Sequence, residues 1–388
     1  MIATLPELTI VMPCLNEADT LESCIRKAKL SIAELGLNAE VIVADNGSTD
    51  GSQGISDAAG ARVVNVPASG YGNAVMGGID AARGKFIIMG DADDSYDFRE
   101  IGKFVEKLRE GYELVQGCRL PQGGGRTLPG AMPFLHRWWG NPMFSKLAQW
   151  WFGAPIHDVY CGLRGFTKEL YDRLDLRCTG MEFATEMIIK ASFANAKISE
   201  VPITLHPDGR ITHRPHLKTF RDGWRTLRFF LLFSPRWLFL VPGIFLILLG
   251  ILGYVVALPR TTFIGLTFDA HTLLFASLWI LCGYQLVVFA IFTKTFAINE
   301  GLMPTTERVQ AFFKIMTLER GIVASLVMLV FGLGVLLAAV NQWRLADFGR
   351  LDYSQTMRLV IPGATLTMAA VQTMFSSFFI SLLRLQRR

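Results

Sequence analysis

Short apolar runs alternate with amphipathic stretches of helical length through the first half of the chain. Leu8–Met12, Glu40–Ala44, Ala61–Val66, Lys85–Met89 and Glu113–Gly117 are rich in Val and Ile and read as strands. Between the first two, Leu21, Cys24, Ile25, Ala28, Ile32 and Leu35 recur at helical spacing and Gly36 supplies a stop, predicting an amphipathic helix. A second helix is predicted from about Phe98 to Glu110. Asp97 and Glu100 form its capping box, Ile101, Phe104 and Leu108 its buried face, and Gly111 its end. This alternation predicts an α/β domain, a mostly parallel sheet with helices on both faces. Ligands of such sheets bind at the carboxyl ends of the strands, where Pro13–Glu17, Asp45–Asp50 and Asp91–Ser95 all fall.

Past Leu205 the pattern changes. Leu217, Phe220, Trp224, Leu227 and Leu231 form one helical stripe, with Lys218, Arg221, Arg225 and Arg228 beside it. Adjacent apolar and cationic stripes suit a helix lying flat at a bilayer surface. Four stretches, about Trp237–Leu258, His271–Phe292, Ile322–Val340 and Leu359–Leu383, are long and apolar enough to cross a bilayer. The loop after the first carries only Arg260. Segment 293–321 carries Lys294, Arg308, Lys314 and Arg320, and the tail ends with Arg384, Arg387 and Arg388. The positive-inside rule therefore puts both termini and segment 293–321 in the cytosol. Loop 341–358 dissents with Arg344, Arg350 and Arg358, although Asp347 and Asp352 share it. Val309, Phe312, Phe313 and Met316 predict a second interfacial helix. The expected organisation is a catalytic domain over 1–215, a surface helix over 216–235, and a four-helix transmembrane domain over 236–388 with an interfacial segment near 300–320.

A net charge of +5 fits attraction to anionic lipid heads and phosphates, and gives no argument for nucleic acid. The six cysteines, Cys14, Cys24, Cys118, Cys161, Cys178 and Cys282, form no Cys-x-x-Cys pair and read as reduced residues of a cytosol-facing domain. Met1–Glu7 lacks the basic and apolar pattern of a secretory signal, so the soluble part is expected to stay on the side where it is made. The histidines His136, His157, His206, His213 and His216 lack metal-ligand spacing.

Gly90-Asp91-Ala92-Asp93 closes the apolar run Phe86–Met89. Two carboxylates one residue apart at a strand end suit a hard divalent cation shared with phosphate oxygens. Asp45 and Asn46 open the stretch Asp45-Asn46-Gly47-Ser48-Thr49-Asp50, where a carboxylate can meet a base or ribose; taken alone, the stretch also reads as an ordinary Asx-type turn capping the next helix. Pro13-Cys14-Leu15-Asn16-Glu17 closes the first strand.

Taken together, Pro-x-x-Asn-Glu, Asp-Asn-Gly-Ser-Thr-Asp and Asp-Ala-Asp resemble the nucleotide-sugar-binding domain of family 2 glycosyltransferases, the GT-A fold. Gly70-Tyr71-Gly72-Asn73-Ala74 with Gly77 is similar to that family's donor-side helix start. Gly117-Cys118-Arg119, Gly123-Gly124-Gly125 and Asp158-x-x-x-Gly162-Leu163-Arg164 are similar to its polyprenyl-phosphate branch, which includes dolichol-phosphate mannose and glucose synthases. The resemblance covers about residues 8–235. It implies transfer of one hexose, with inversion, from a nucleoside-diphosphate sugar (UDP-glucose or GDP-mannose) to dolichyl or undecaprenyl phosphate. The transfer would occur at the cytosolic face of the inner or plasma membrane.

On that resemblance, Pro13, Leu15, Asn16, Glu17, Asp45, Asn46, Gly72, Asp91, Ala92 and Asp93 bind the donor, and Asp91 and Asp93 hold Mg²⁺ or Mn²⁺. A lipid phosphate needs no general base, only cations. Arg119 is the first candidate, because a guanidinium pairs bidentately with phosphate, followed by Arg126 and Arg137. Asp158, Arg164 and Glu182 are candidates for sugar contacts or for structural roles; Asp158 and Arg164 either organise the floor of the acceptor side or form a purely structural buried pair. Arg210, Arg214 and Lys218 are candidates for the diphosphate or lipid heads. Exposed apolar helices make a homo-oligomer a candidate assembly. The sequence departs from the family pattern at Asn46 (commonly a second Asp), at Asp94-Ser95 (commonly Leu-Gln), and at Leu205–Arg210, in place of an Arg-x-x-Gly-x-Ser-Lys run. The rival readings are a processive polysaccharide synthase and a non-catalytic nucleotide-sugar sensor.

Overall fold

The computed structural model describes residues 5–211, 219–259, 261–263 and 265–385. The chain divides into two compact units, Met1–Phe230 and Leu231–Arg388. In the first, β1 (Leu8–Cys14) is buried at every position, as an apolar run must be when helices cover both faces of its sheet. α1 (Leu21–Glu34) buries Leu21, Cys24, Ile25 and Ala28. Leu35, predicted on that stripe, is exposed, because the helix ends one residue earlier. Then come β2 (Ala39–Asp45), α2 (Ser52–Ala58), β3 (Arg62–Asn65), α3 (Tyr71–Ala81) and β4 (Phe86–Met89). α3 lies close on the sheet at Gly78, where a Cβ would meet Val11 Cγ1 at 2.5 Å.

The helix predicted from Phe98 begins as a 3-10 turn, Phe98–Ile101, and continues as α4 (Gly102–Arg109). Only half of its predicted capping box forms. Asp97 accepts the Arg99 amide at 3.0 Å, but Glu100 turns away to the Thr204 amide (3.4 Å) and Lys103 (3.3 Å). β5 (Leu114–Cys118), β6 (Arg126–Thr127), α5 (Asn141–Phe152), β7 (Arg164–Thr167), α6 (Lys168–Leu174), α7 (Phe183–Phe193), β8 (Ile198–Pro202), β9 (Thr204–Leu205) and α8 (Thr219–Leu232) complete the series.

The main sheet runs β3-β2-β1-β4-β7-β5-β8. Its neighbours are parallel except β7, which lies antiparallel between β4 and β5. This is the mostly parallel α/β arrangement expected of a GT-A domain. Cys14 pairs with Asp45, and Arg164 faces both Met89 and Gln116. The ends of β1, β2, β4 and β5 and the start of β7 therefore share one edge of the sheet.

On α8, Phe230 is fully buried, with its ring edge-on to Phe144 (5.9 Å) and Phe152 (5.3 Å), whereas Trp224 is exposed. The face that packs on the protein thus runs through Thr226, Phe229 and Phe230 rather than along the Trp224 stripe. His213, Arg214, His216, Leu217 and Lys218, and the side chains of Phe220 and Arg221, lie outside the described residues.

The second unit holds four helices long and apolar enough to span a membrane: Arg236–Ala257, Ala270–Asn299, Leu318–Leu345 and Tyr353–Leu383. The first begins with a π-wound turn and continues as α9 (Val241–Ala257); the others are α10, α12 and α13, with α11 (Glu307–Ile315) between α10 and α12. Helices approach closely at small residues. A Cβ on Gly243 would meet the Gly283 carbonyl oxygen at 2.8 Å, and one on Gly332 would meet the Thr367 amide at 2.9 Å. The dissenting Arg358 lies within α13, where Asp269 neutralises it at 2.9 Å. Arg260, Arg387 and Arg388 lie outside the described residues.

Candidate active site

Three loops leave the shared sheet edge and lock together. Asn16 adopts φ +59° and accepts the Thr49 amide at 2.8 Å, while its own amide donates to Ser48 Oγ at 2.9 Å. Asp50 accepts the Ala18 amide at 2.9 Å, and the Thr20 hydroxyl donates to the Ala92 carbonyl at 2.6 Å. Buried Asp45 accepts the Gly47 amide (3.1 Å) and Gln53 Nε2 (2.7 Å), so its carboxylate shapes its own loop. Asn46 donates to the Val66 and Ala68 carbonyls at 2.9 and 2.8 Å and accepts the Gly70 amide at 2.9 Å. A carboxylate there would oppose two carbonyl oxygens, which explains Asn where the family commonly has Asp. Pro13 lies within β1, Leu15 is exposed, and Ala92 is buried. Gly72 sits where a Cβ would strike the Cys178 carbonyl oxygen, so the start of α3 is pressed against the connection between α6 and α7.

Asp91 and Asp93 follow β4. Tyr71 donates its hydroxyl to Asp91 Oδ1 at 2.9 Å. Burial, then the charge on Asp93, pushes the Asp91 carboxyl up to about 6. Asp93 Oδ1 accepts from the Ser95 amide (3.1 Å) and hydroxyl (2.6 Å), and its Oδ2 faces Arg210 Nη1 at 3.3 Å. Asp94 points away, to Lys27 at 2.7 Å. Gly162 makes room for Asp91, because a Cβ there would meet Asp91 Oδ2 at 2.6 Å. Among the described residues no group of three or more His, Cys, Asp and Glu side chains converges on one point. The donor set still fits a hard cation: two carboxylates share one strand end, and a guanidinium already stands against one of them. Magnesium takes its remaining ligands from phosphate and water.

Arg119, just past β5, is 8% exposed and grips Asp158 with Nε at 2.7 Å and Nη2 at 2.8 Å. Burial opposes its charge, yet Asp158 and Tyr96 hold its pKa above the ordinary arginine value. The Tyr96 hydroxyl also accepts the Gly162 amide at 2.8 Å, linking this pair to the floor under Asp91. Of the two readings for Asp158 and Arg164, the mutual buried pair does not form: Asp158 is taken by Arg119. Arg164, fully buried, donates to the Ala184 and Cys161 carbonyls at 2.6 and 2.7 Å instead, and burial lowers its pKa. It enters at the antiparallel β7, whose direction the alternation of elements does not reveal.

Glu182 binds Arg225 at 2.8 Å. Glu186 is buried, pairs with Lys190 at 2.9 Å and accepts the Cys178 amide at 2.8 Å, a structural role. Arg126 lies exposed on β6. Arg137 lies on the π-wound turn His136–Gly140 over the Trp138 ring (5.4 Å), its Nε buried with no hydrogen-bond partner. Neither makes an ion pair among the described residues. Sequence reasoning missed Tyr71, Tyr96 and Thr20. Tyr71 stands inside the glycine motif quoted for the donor helix, so its position was visible but its partner was not.

Two family models match: glycosyl transferase family 2 over residues 9–175, and the glycosyltransferase family 2 C-terminal transmembrane region over 291–384. A low-salt glycan biosynthesis hexosyltransferase of Haloferax volcanii is 36% identical over 383 residues, 97% of this chain and 88% of the relative. A dolichyl-phosphate hexose transferase of the same organism is 32% identical over 201 residues, 52% of this chain and 83% of the relative. A glucosyl-3-phosphoglycerate synthase of Mycobacterium tuberculosis, solved with Mg²⁺ and uridine diphosphate, matches with a TM-score of 0.46 and 23% identity, covering 58% of this chain and 78% of its own. Four apolar helices and the matched transmembrane region make the protein an integral membrane protein. With similarity running from the Asp-Ala-Asp edge through the last membrane helix, the chain belongs to glycosyltransferase family 2.

Proposed function

We propose that the enzyme transfers a single hexose from a nucleoside-diphosphate sugar to a polyprenyl phosphate, with inversion, at the cytosolic face of the membrane. The observation that carries this reading is the carboxylate pair Asp91 and Asp93 at the carboxyl edge of the sheet, in a chain that continues into four membrane-length helices. The dolichyl-phosphate hexose transferase among its relatives supports the acceptor class.

Asp91 and Asp93 would hold Mg²⁺ or Mn²⁺, which when bound supplies positive charge to the departing diphosphate. The locked loops of Asn16, Glu17, Asp45 and Asn46 shape the donor pocket beside them. Ser95 fixes the Asp93 rotamer and Tyr71 that of Asp91, so both carboxylates stand preorganised. The acceptor phosphate is already an anion at neutral pH, so no side chain has to remove a proton. Arg137 and Arg126 would bind it. Arg119, held by Asp158, orders the wall through Tyr96 and contributes field to the acceptor side. Exposed Phe134, Trp138 and Trp139 around Arg137 suit the headgroup level of a bilayer, where amphipathic aromatics collect. Such an apron would keep the lipid's phosphate at the site while its tail stays in hydrocarbon.

Detergent-solubilised protein incubated with radiolabelled nucleotide sugars and short polyprenyl phosphates tests the reading. Label is expected in a lipid bearing one sugar. Label in a polymer would indicate a processive synthase, and no transfer with any donor would sink the proposal. Asp93→Ala is expected to lower turnover by about 10²–10³-fold, as for loss of one electrostatic stabiliser, with its circular dichroism unchanged.

A further inference from the structure

The strap 206–211 lies across the sheet edge that carries Asp91 and Asp93. Its backbone is pinned there, with His206 donating to the Ser95 carbonyl (2.9 Å), Gly209 to the Asp93 carbonyl (2.9 Å) and Ile211 to Asp19 Oδ2 (3.0 Å). The pinning delivers one side chain, Arg210, into the acidic cluster. Its Nε meets Glu17 Oε2 at 2.7 Å, its Nη2 meets Glu17 Oε1 at 2.5 Å, and its Nη1 meets Asp208 Oδ2 at 2.8 Å and Asp93 Oδ2 at 3.3 Å. The side chain is 12% exposed, so its charge is well shielded from water.

One guanidinium against three carboxylates leaves the cluster net negative, and Asp91 adds to that. The longest of the four contacts is the one to Asp93. A divalent cation arriving at Asp93 would compete with Nη1 for Oδ2 and repel the guanidinium. A diphosphate arriving with it would offer new acceptor oxygens.

We propose that Arg210 is an exchange cation: in the donor-free enzyme it occupies Asp93, and on donor binding it yields Asp93 to the metal and turns Nη1 to the diphosphate. Its fork stays on Glu17 throughout, so that Glu17 is the pivot and the strap need not unfold. This rests on the metal-diphosphate reading of Asp91 and Asp93. It adds a claim of its own: removing Arg210 shifts metal binding and nucleotide binding in opposite directions.

The test is Mn²⁺ binding to the full-length, detergent-solubilised protein, read from the paramagnetic resonance of free Mn²⁺, alone and with UDP or GDP. In Arg210→Gln, Mn²⁺ alone is expected to bind about five- to tenfold tighter, because a competing charge has left the cluster. The nucleotide in the presence of Mn²⁺ is expected to bind about tenfold weaker, because a charge-assisted contact is gone. Arg210→Lys, less able to span Glu17 and Asp93 together, is expected to shift both in the same senses by less, and it serves where Arg210→Gln does not fold. Weakening of both, or weaker nucleotide with Mn²⁺ alone unchanged, overturns the exchange. No Mn²⁺ binding by the wild-type protein even at saturating nucleotide overturns the metal reading beneath it as well.

Discussion

Asn46 and Asp91 show how much a single functional group decides at this site. The Asn46 amide supplies two donors and one acceptor to the 66–70 connection, and a carboxylate can supply only acceptors. Asn46→Asp is therefore expected to destabilise the catalytic unit by about 2 kcal/mol, measured as a lower midpoint of chemical unfolding. Restoration of the more common family residue would then be harmful here. Asp91 behaves differently, because burial and the neighbouring Asp93 charge raise its carboxyl to about 6. A folded-state pKa above the unfolded value contributes stability at low pH that is lost as pH rises through the folded value. The metal-free protein should thus gain from this group on acidification through about 6. Metal binding needs the ionised form and follows the opposite course. Affinity for Mn²⁺ with nucleotide should fall by up to about tenfold per unit below pH 6 and flatten above it, a profile that calorimetric titration at several pH values would measure.

At the scale of elements, the end of β5 and the turn before α5 sort the arginines into two kinds. Arg119 and Asp158 are both buried and satisfied by each other, so Arg119→Ala would leave a carboxylate in the core without its cation. That change is expected to cost about 3–5 kcal/mol of stability, read by thermal unfolding. Arg137, on a π-wound turn among exposed tryptophans, has an unpaired Nε and no carboxylate partner among the described residues. Arg137→Gln is expected to keep the unfolding midpoint. It should raise the KM for polyprenyl phosphate about tenfold, as for a lost charge-assisted contact, with the KM for donor unchanged. A shift in donor KM would instead assign Arg137 to the nucleotide side. The charged helix α8 obeys the same division: Phe230 is committed to the aromatic cluster with Phe144 and Phe152, while Trp224 is left outside.

For the whole molecule, hydrophobic patterning determined most of the architecture. Buried parallel strands need continuous apolar runs and membrane helices need long ones, so the strands from β1 to β5 were legible nearly to the residue, and the four spanning helices were legible as apolar cores whose ends run up to two turns further. The position of Asp91 and Asp93 was legible too, because two carboxylates that follow a strand end lie at that edge of the sheet. Only tertiary structure decided who pairs with whom. The Arg119–Asp158 grip, the Tyr71–Asp91 contact and the reach of Arg210 to Glu17 join residues up to 193 positions apart. Periodicity reports which face of an element is buried. It carries nothing about which charged group from a distant loop arrives there, because that depends on the direction of β7 and the path of the 206–211 strap. Those are set by packing and by backbone hydrogen bonds between loops, which leave no periodic trace in the chain.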